Sequence, residues 1–337
     1  MLKVRSIVIL LSSLLCAGAA LAANGPYEIA GTFHIGGSGG WDYVTVDSPH
    51  HLIYVTRSTH TDVIDADTGK LVADISGQER SHGVALVHTV NRGFITDGGA
   101  GDVLIFDLKT DQALGKIKTP PDSDGAIYDP ASNKVLIVSG DAGQLIPISP
   151  NVDPANGRAD KAIDLGGKPE FLAADGHGKA FVCLADKDEV AVVDTKHMKL
   201  LARWPTAPGG HPTGMAIDAE HERLFVGCRK PEKMIVMDAN NGKVLASLPI
   251  GGGNDAVQFD NGNAFASCRD GTLTVVHEET PNQFKLLQVL KTAPGARTMG
   301  VDSLTHALYL PTAEFESSPM SKHARMKPDS FKILLVK

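Results

Sequence analysis

Seven polar or charged residues recur in this 337-residue sequence at intervals of 40 to 46 residues, each just before or at the start of a short, mainly apolar segment. They are Asp42, His82, Asp124, Glu170, His211, Asp255 and Arg297. Oxygen ligands alone favour Ca²⁺ or Mg²⁺, whereas two imidazoles with a carboxylate suit Zn²⁺ or another transition metal. If these side chains meet in space, they could hold a divalent cation or a small ligand.

The metal hypothesis uses two imidazoles and three carboxylates of this series: His82, Asp124, Glu170, His211 and Asp255. A metal ion among them could polarise an ester carbonyl or activate water, which would give lactonase-like hydrolysis or a lyase reaction. His82 or His211 could then act as general base, with Glu170 as a further catalytic candidate. Arg297 could hold an anionic group of the substrate.

Binding without catalysis is the simpler use of the same positions. The predicted ligand-binding residues are Trp41, Asp42, His82, Asp124, Glu170, His211, Asp255 and Arg297. No motif of a nucleophile beside a base accompanies them, and this favours a binding protein over an enzyme. A third interpretation stays open, in which these groups are only solvated at the end of a water-filled channel.

The elements that must position these residues follow from a phrase repeated about every 42 residues. One copy has a first strand at His211–Asp218, a second at Arg223–Val226 and a third at Met234–Asp238, which leads into the turn closing at Lys243. Asp opens such turns and Gly supplies their positive φ angle. A unit of this length with four strands is typical of one β-propeller blade.

Seven such units can be counted, so we predict an all-β, seven-bladed β-propeller with four-stranded blades. The last unit supplies its third strand at Phe331–Lys337, and the strand at Tyr27–Ile35 has no partner nearby in sequence. We expect this N-terminal strand to complete the last blade and to close the ring, because closure removes an open sheet edge.

In such a ring the residues before each innermost strand meet at one mouth of the central channel. The loops between second and third strands should open on the same face and bring Arg57, His60, Asp97, Asp141, Asp186, Arg229 and Arg269. We therefore expect a small molecule or a protein partner to bind at this mouth.

At this point the chain resembles the YncE-like, or YVTN-repeat, family of exported propellers. The resemblance spans residues 27–337 and rests on the phrases Leu-Phe-Val, as at Leu224–Val226, and Val-Val-Asp-x-x-x-Gly-Lys, whose turn occurs at Asp65–Lys70 and Asp238–Lys243. Gly39–Asp47 and Leu310–Phe315 are further motifs. It implies a periplasmic protein that acts as a binding platform. Fold alone does not specify a function, so the resemblance is evidence for architecture more than for chemistry.

The first 22 residues read as a secretory signal peptide with Lys3 and Arg5 before an apolar stretch. Cleavage near Ala22 would leave one domain, residues 23–337, and would change the formal charge from −7 to −9 because two basic and no acidic residues are lost. That charge argues against nucleic acid as a partner. We expect a monomer without a membrane anchor.

Three cysteines would remain after cleavage: Cys183, Cys228 and Cys268. Cys228 and Cys268 occupy matching positions in successive repeats, which should lie too far apart for a disulfide, so we expect unpaired thiols. No Cys-x-x-Cys-His motif occurs, which excludes covalently attached haem.

The segment 314–330 joins the second and third strands of the last repeat and carries Met320, Lys322, His323, Arg325, Met326 and Lys327. It is either a lid over the channel mouth or a solvated basic loop. The pair His50 and His51, in a turn on the opposite face, is interpreted as solvated. The stretch Gly36–Gly40 is interpreted as a flexible approach to the first blade, since no helix or Lys-Ser/Thr follows it as in a phosphate-binding loop.

Overall fold

A computed structural model describes residues 25–316 and 325–337 of the chain. The predicted signal peptide, 1–22, lies outside the described residues, as do Met320, Lys322 and His323 of the predicted lid. The described part is an all-β protein with two short 3₁₀ helices, Ser48–His50 and His88–Val90. Neither of these helices has the length or apolar character needed to cross a membrane.

The strands are named here in chain order. The first eight are β1 (Ile29–His34), β2 (Val44–Asp47), β3 (Leu52–Thr56), β4 (Ser58–Asp65), β5 (Leu71–Val87), β6 (Arg92–Asp97), β7 (Asp102–Asp107) and β8 (Ala113–Lys118). The next eight are β9 (Ser123–Asp129), β10 (Lys134–Ser139), β11 (Gln144–Ile148), β12 (Ile163–Asp164), β13 (Pro169–Ala174), β14 (Lys179–Leu184), β15 (Glu189–Asp194) and β16 (Lys199–Pro205). The following eight are β17 (Pro212–Asp218), β18 (Arg223–Arg229), β19 (Glu232–Asp238), β20 (Val244–Pro249), β21 (Asn254–Asp260), β22 (Asn263–Cys268), β23 (Thr272–Thr280) and β24 (Gln283–Lys291). The last five are β25 (Gly300–Val301), β26 (Leu308–Thr312), β27 (Phe315–Glu316), β28 (Arg325–Met326) and β29 (Lys332–Val336).

These strands form five four-stranded sheets, one seven-stranded sheet and one two-stranded ladder. The four-stranded sheets are β9–β12, β13–β16, β17–β20, β21–β24, and the set β25, β26, β29 and β1, while β2–β8 form the seven-stranded sheet and β27 pairs with β28. The β-propeller prediction is confirmed. The prediction of seven separate four-stranded blades is wrong, because the described structure has five.

The departure is caused by β5, which belongs to two repeats. Its first part pairs with β4, as at Ala73 and Val63, and its last part pairs with β6, as at Ala85 and Phe94. The residues between these parts include no proline. Gly77 has a φ angle of +97° and the register shifts there, but Ser81 still pairs with both Ser58 and Asp97, which joins the two halves into one sheet. Other crossings between repeats carry Pro or paired glycines, which interrupt strand pairing.

The N-terminal strand β1 is the outer strand of the sheet that contains the C-terminal strand. It pairs antiparallel with β29, for example through Phe33 and Ile333, and β29 pairs in turn with β26 through Leu310 and Leu334. The first and last described strands are thereby held in one sheet.

The hydrophobic core lies between neighbouring sheets. Phe181 and Val192 of one sheet pack against Met215 and Val226 of the next, and all four side chains are buried. The middle strands are buried almost throughout, as in β14, whereas outer strands such as β16 alternate between exposed and half-buried residues. This burial pattern follows from stacking each sheet between two others.

The innermost strands surround a central cavity of about 590 Å³. Most of the side chains that line it are apolar, including Leu86, Ile127, Phe171, Ile217 and Phe259. A cavity of this size falls in the range of small-molecule sites.

Candidate functional site

The eight residues predicted to bind a ligand lie at or just before the starts of the innermost strands. Trp41 and Asp42 precede β2, His82 lies in β5, Asp124 in β9, Glu170 in β13 and Asp255 in β21, while His211 precedes β17 and Arg297 precedes β25. We call the end of the channel defined by these eight residues the upper mouth.

Buried hydroxyl groups fix the backbone of the upper mouth. Each donates a hydrogen bond to a carbonyl in the following repeat: Thr56 to His82 at 2.7 Å, Thr96 to Asp124 at 2.6 Å, Thr213 to Asn254 at 2.8 Å, Ser267 to Arg297 at 2.6 Å and Thr298 to Asp42 at 2.8 Å. These bonds tie neighbouring sheets together at the height of the site residues. Sequence analysis missed them, although Thr56, Thr96 and Ser267 share a position near the end of the second strand.

Gly83, which follows His82, permits a close approach between two inner strands. A Cβ atom there would stand 2.9 Å from the Ala126 nitrogen and 3.0 Å from the Asp124 carbonyl oxygen. Real Cβ atoms are excluded from such distances to backbone, so a side chain at this position would push the β9 strand away. Glycine therefore helps to bring His82 beside Asp124.

Ion pairs link one half of the upper mouth. His82 Nδ1 lies 2.5 Å from Asp42, Arg297 Nε lies 2.5 Å from Asp255, and Asp255 also pairs with Arg229. Burial opposes the charge of Arg297, but Asp255 and Asp42 outweigh that effect and raise its pKa. Asp42 and Asp255 thus have cationic partners inside the protein.

Asp124 and Glu170 differ from these two carboxylates. Within the described residues neither side chain accepts a hydrogen bond, and the nearest ionisable nitrogen to Asp124 is His82 Nδ1 at 3.5 Å. Burial raises the pKa of Asp124 well above its usual range, and the neighbouring carboxylates raise it further. Burial also raises the pKa of Glu170, although Arg229 opposes this. Both groups are therefore poorly compensated when ionised.

Two aromatic rings form the floor of the upper mouth. The Tyr43 and Phe171 rings stand 4.9 Å apart between centroids, and both line the top of the apolar cavity. Burial raises the pKa of Tyr43 well above its usual range, as do all four carboxylates of the upper mouth. The upper mouth is thus a polar recess above the apolar channel, and sequence analysis missed Tyr43 as its floor.

His211 stands apart from the ion pairs. Its backbone N–H donates to Asp188 at 2.6 Å, and its φ angle is +52°. Burial lowers the pKa of the imidazole, with Arg229 and Lys230 adding to the effect. A neutral imidazole beside cations could accept a proton or a hydrogen bond.

Trp41 is buried at the rim and contacts both Arg297 and the base of the segment 314–330. The Arg297 guanidinium carbon lies 5.7 Å from the Trp41 ring centroid, and the Phe315 and Trp41 rings are 6.1 Å apart. Arg325 and Met326 pair with Glu316 and Phe315 in the two-stranded ladder, and Lys327 contacts Glu314 at 3.2 Å. Both ends of the predicted lid are therefore anchored beside the rim.

Several loop residues predicted on this face have structural contacts instead. Arg57 is buried, pairs with Asp62 at 2.7 Å, stacks on Phe331 and donates to carbonyls of the stretch Gly36–Gly40, which wraps around it. Asp97 accepts four backbone N–H groups, and these lower its pKa against the effect of burial.

The other loop residues predicted on this face differ in their contacts and in their burial. Asp186 accepts the Lys168 N–H at 2.5 Å, and Asp141 lies on the surface 3.9 Å from Lys168. His60 Nε2 stands 3.5 Å from the buried Asp62. Among these loop residues, Arg229 alone makes an ion pair with a predicted ligand residue, Asp255. Partial burial, followed by the nearby charge of Arg297, lowers the pKa of Arg269.

Only part of the predicted metal set converges in the described residues. The ligand atoms of Asp42, His82 and Asp124 lie within 4.8 Å of one another. Asp42 was expected to bind a ligand but not a metal, whereas Glu170, His211 and Asp255 do not join this group. The metal assignment stays a prediction.

The three cysteines Cys183, Cys228 and Cys268 are buried free thiols in the described structure. Burial raises the pKa of Cys228 and of Cys268 to about 12, so neither is a reactive thiolate at neutral pH. Cys183 Sγ lies 3.8 Å from the Gly214 carbonyl, at a strand position where Thr56, Thr96 and Ser267 of other repeats use a hydroxyl group.

Neither protein-family models nor curated proteins gave a match to this chain. Solved structures did. The WD40 repeats of RRP9 share 11% identity at a TM-score of 0.73, with 90% of this chain and 96% of that chain covered. U3-55K shares 11% identity at a TM-score of 0.72, with 89% and 97% covered.

Hydrazine synthase of Kuenenia stuttgartiensis is also similar, at 11% identity and a TM-score of 0.70, with 82% of this chain and 94% of that chain covered. Identities this low show the fold alone. The chain is therefore a β-propeller similar to WD40-type proteins, and its membership of the YVTN-repeat family is not confirmed.

Proposed function

We propose that this β-propeller is a binding platform whose upper mouth accepts a basic side chain of a protein partner. One observation carries the proposal: Asp124 and Glu170 are partly buried in the upper mouth and have no hydrogen-bond partners within the described residues, whereas Asp42 and Asp255 are paired. A lysine or arginine from outside would supply the missing positive charge.

The recess suits one side chain better than a large ligand. Tyr43 and Phe171 close it from below, so an incoming group meets the carboxylates and stops at the two rings. Phe315, which is half-exposed next to Trp41, offers an apolar contact for the stem of a long basic side chain or for a neighbouring residue. WD40-type propellers commonly serve as protein-binding platforms, which favours a protein partner over a free amine.

Binding of a cation should be coupled to loss of a proton. Because burial and neighbouring carboxylates raise the pKa of Asp124, this carboxyl holds a proton more readily than an exposed aspartate. A cation favours the ionised form and lowers the pKa again. We therefore expect affinity for a basic peptide to increase as the pH rises from 5 to 8.

A random-peptide display library selected on immobilised protein tests the proposal without knowledge of the natural partner. We expect enrichment of peptides with Lys or Arg at a fixed position on the wild type and loss of that enrichment on Asp124→Asn/Glu170→Gln. Asp141→Asn is the matched control, because Asp141 is an exposed carboxylate expected on the same face. Equal enrichment on the double variant, or none on the wild type, would sink the proposal.

A metal-dependent hydrolase or lyase is the second candidate function, supported by the convergence of Asp42, His82 and Asp124. His82 Nε2 is buried and has no hydrogen-bond partner in the described residues. Metal binding that disappears in His82→Gln, together with ester hydrolysis lost in the same variant, would favour it over the platform.

We also propose that the chain is an exported, periplasmic protein of the YVTN-repeat type. The signal-like residues 1–22 and the turns at Asp65–Lys70 and Asp238–Lys243 support this. Mass spectrometry of the protein from its native cells should give a mature N-terminus near Ala23; an intact Met1 terminus would contradict export by cleavage.

A further inference from the structure

The opposite end of the channel, where β2, β9 and β17 end, is called the lower mouth. An aspartate ends these strands, and in most repeats it accepts hydrogen bonds from the following turn. Asp129 binds the N–H groups of Ala131 and Ser132, and Asp302 binds those of Leu304 and Thr305. In these repeats the carboxylate stabilises the turn.

Asp47 departs from this pattern in the described structure, as does Asp260, whose carboxylate contacts His306 at 2.7 Å. The residue two positions later is Pro49, which has no N–H to donate. The 3₁₀ helix that begins at Ser48 accordingly receives no side-chain hydrogen bond from Asp47. The carboxylate is nevertheless buried. It does not accept the N–H groups of the following turn, as Asp129 and Asp302 do.

Two imidazoles converge on the freed carboxylate. His50 Nδ1 lies 3.0 Å and His88 Nε2 lies 3.2 Å from the same oxygen, Asp47 Oδ1. The two rings are stacked, 4.8 Å between centroids and 23° between planes. His88 comes from the second repeat, at the end of β5, so the cluster is built across two repeats.

The geometry of this cluster matches a transition-metal site. In a tetrahedral site with bonds of about 2.0–2.1 Å, two ligand atoms stand about 3.3 Å apart, close to the distances between Asp47 and each imidazole. Two imidazoles and a carboxylate are also a donor set suited to Zn²⁺. We propose that Asp47, His50 and His88 bind one Zn²⁺ ion at the lower mouth.

The proposed site has room for a fourth ligand. Both imidazoles are exposed, and Asp47 and His88 also line the cavity of about 590 Å³, beside Ser48 and Ser303. Three protein ligands leave one coordination position for water or for a donor atom of another molecule. That molecule would have a metal-binding head and an apolar body in the channel.

This site could not be recognised from the sequence, because its residues come from different repeats and His50 stands beside His51. The structure separates the two: His51 turns to Asp67, 3.4 Å away. Three other groups of possible ligands exist in the described chain, but each includes only one histidine. In the group around His60, the carboxylate of Asp62 is already paired with Arg57.

Zn²⁺ titration of the untagged, chelator-treated protein tests the proposal, with a chromophoric chelator as competitor. We expect one equivalent to bind, and His88→Gln to weaken binding by more than about 10-fold. Co²⁺ in place of Zn²⁺ should give the visible bands of four-coordinate cobalt. His88 is exposed, so its replacement should leave the fold intact.

His197→Gln is the matched control. His197 Nδ1 lies 2.8 Å from Asp194 in the same sequence spacing as His50 and Asp47, but among the described residues no third ligand joins that pair. The His197→Gln variant should bind Zn²⁺ with the same affinity as the wild type. The proposal is overturned if the wild type binds no Zn²⁺, if His88→Gln binds as tightly as the wild type, or if only His221→Gln or His82→Gln loses the ion.

Discussion

The two ends of the channel use carboxylates in opposite ways. At the lower mouth, Asp129 and Asp302 are buried and satisfied by backbone N–H groups of their own turns. At the upper mouth, Asp42 and Asp255 depend on side chains from neighbouring repeats, and Asp124 and Glu170 have no hydrogen-bond partner in the described structure.

This difference distinguishes residues that stabilise the repeated fold from residues that can vary between repeats. Lower-mouth aspartates recur in most repeats, where their side chains accept hydrogen bonds from N–H groups of the following turn. Upper-mouth residues vary because the backbone there is held by hydroxyl groups such as Thr56 and Thr96, which leaves the site side chains free to differ. Asp47 combines both situations, since its position repeats but Pro49 removes its structural role.

The largest effect on stability is expected at Asp255. Asp255→Ala leaves Arg229 partly buried without its carboxylate partner and leaves Arg297 with only Asp42, 3.6 Å away, so the free energy of unfolding should fall by about 3–5 kcal/mol. Urea unfolding measures it, with the exposed Asp141→Ala as a control that should change little. A loss below 1 kcal/mol at Asp255 would show that the ion pairs of the upper mouth do not support the fold.

A pH effect is expected at the lower mouth, where Glu278 faces Asp218, His221 and Arg223. Burial, followed by Asp218, raises the pKa of Glu278 from 4.5 to about 7. The pKa of Glu278 is higher in the folded protein than in the unfolded chain, so protonation of this group favours the folded state. Its contribution to the free energy of unfolding is fully present below pH 4.5 and is lost as the pH rises through 7, by at most about 3 kcal/mol.

Glu278→Gln should flatten this dependence between pH 5 and 8 in urea unfolding. His221 changes in the same direction, because its hydrogen bond to Asp218 raises the pKa of the imidazole, so some slope should remain. Glu279→Gln, an exposed neighbour near Lys285, is the control. An unchanged slope in Glu278→Gln would contradict the assignment.

A smaller loss is expected for the structural aspartate of the third repeat. Asp129→Ala removes hydrogen bonds to the N–H groups of Ala131 and Ser132 and to the Ser132 hydroxyl, and should cost about 2 kcal/mol. The same unfolding assay measures it. If Asp129→Ala left the free energy of unfolding unchanged, the lower-mouth aspartates would not stabilise their turns, and the contrast with the upper mouth would be wrong.

The β-propeller could be predicted because strand order and turn chemistry are local properties. The turn at Asp65–Lys70 and the inner position of Asp42 followed directly from the repeat. The continuous β5 could not be predicted, because whether Gly77 ends a strand depends on pairing with β4 and β6. Seven blades were therefore counted where the sheets are five of four strands and one of seven.

The site was predictable only as a set of positions. The repeat placed Asp124, Glu170 and Asp255 at one end of the channel, but not which carboxylate would meet Arg229 or Arg297. Such pairing depends on side-chain directions across repeats. The lower-mouth histidines were missed for the same reason, since His88 reaches Asp47 from 41 positions away in sequence.

We propose that Asp124 and Glu170 bind a basic side chain of the partner and that, without it, their uncompensated charges destabilise the protein. Calorimetric titration of a selected Lys- or Arg-containing peptide into the wild type and Asp124→Asn/Glu170→Gln at pH 8 tests it, with unfolding measured on the same samples. We expect the double variant to bind the peptide at least about 10-fold more weakly and to be about 1 kcal/mol more stable, because uncompensated charges are removed. Unchanged affinity, or a less stable double variant, would contradict it.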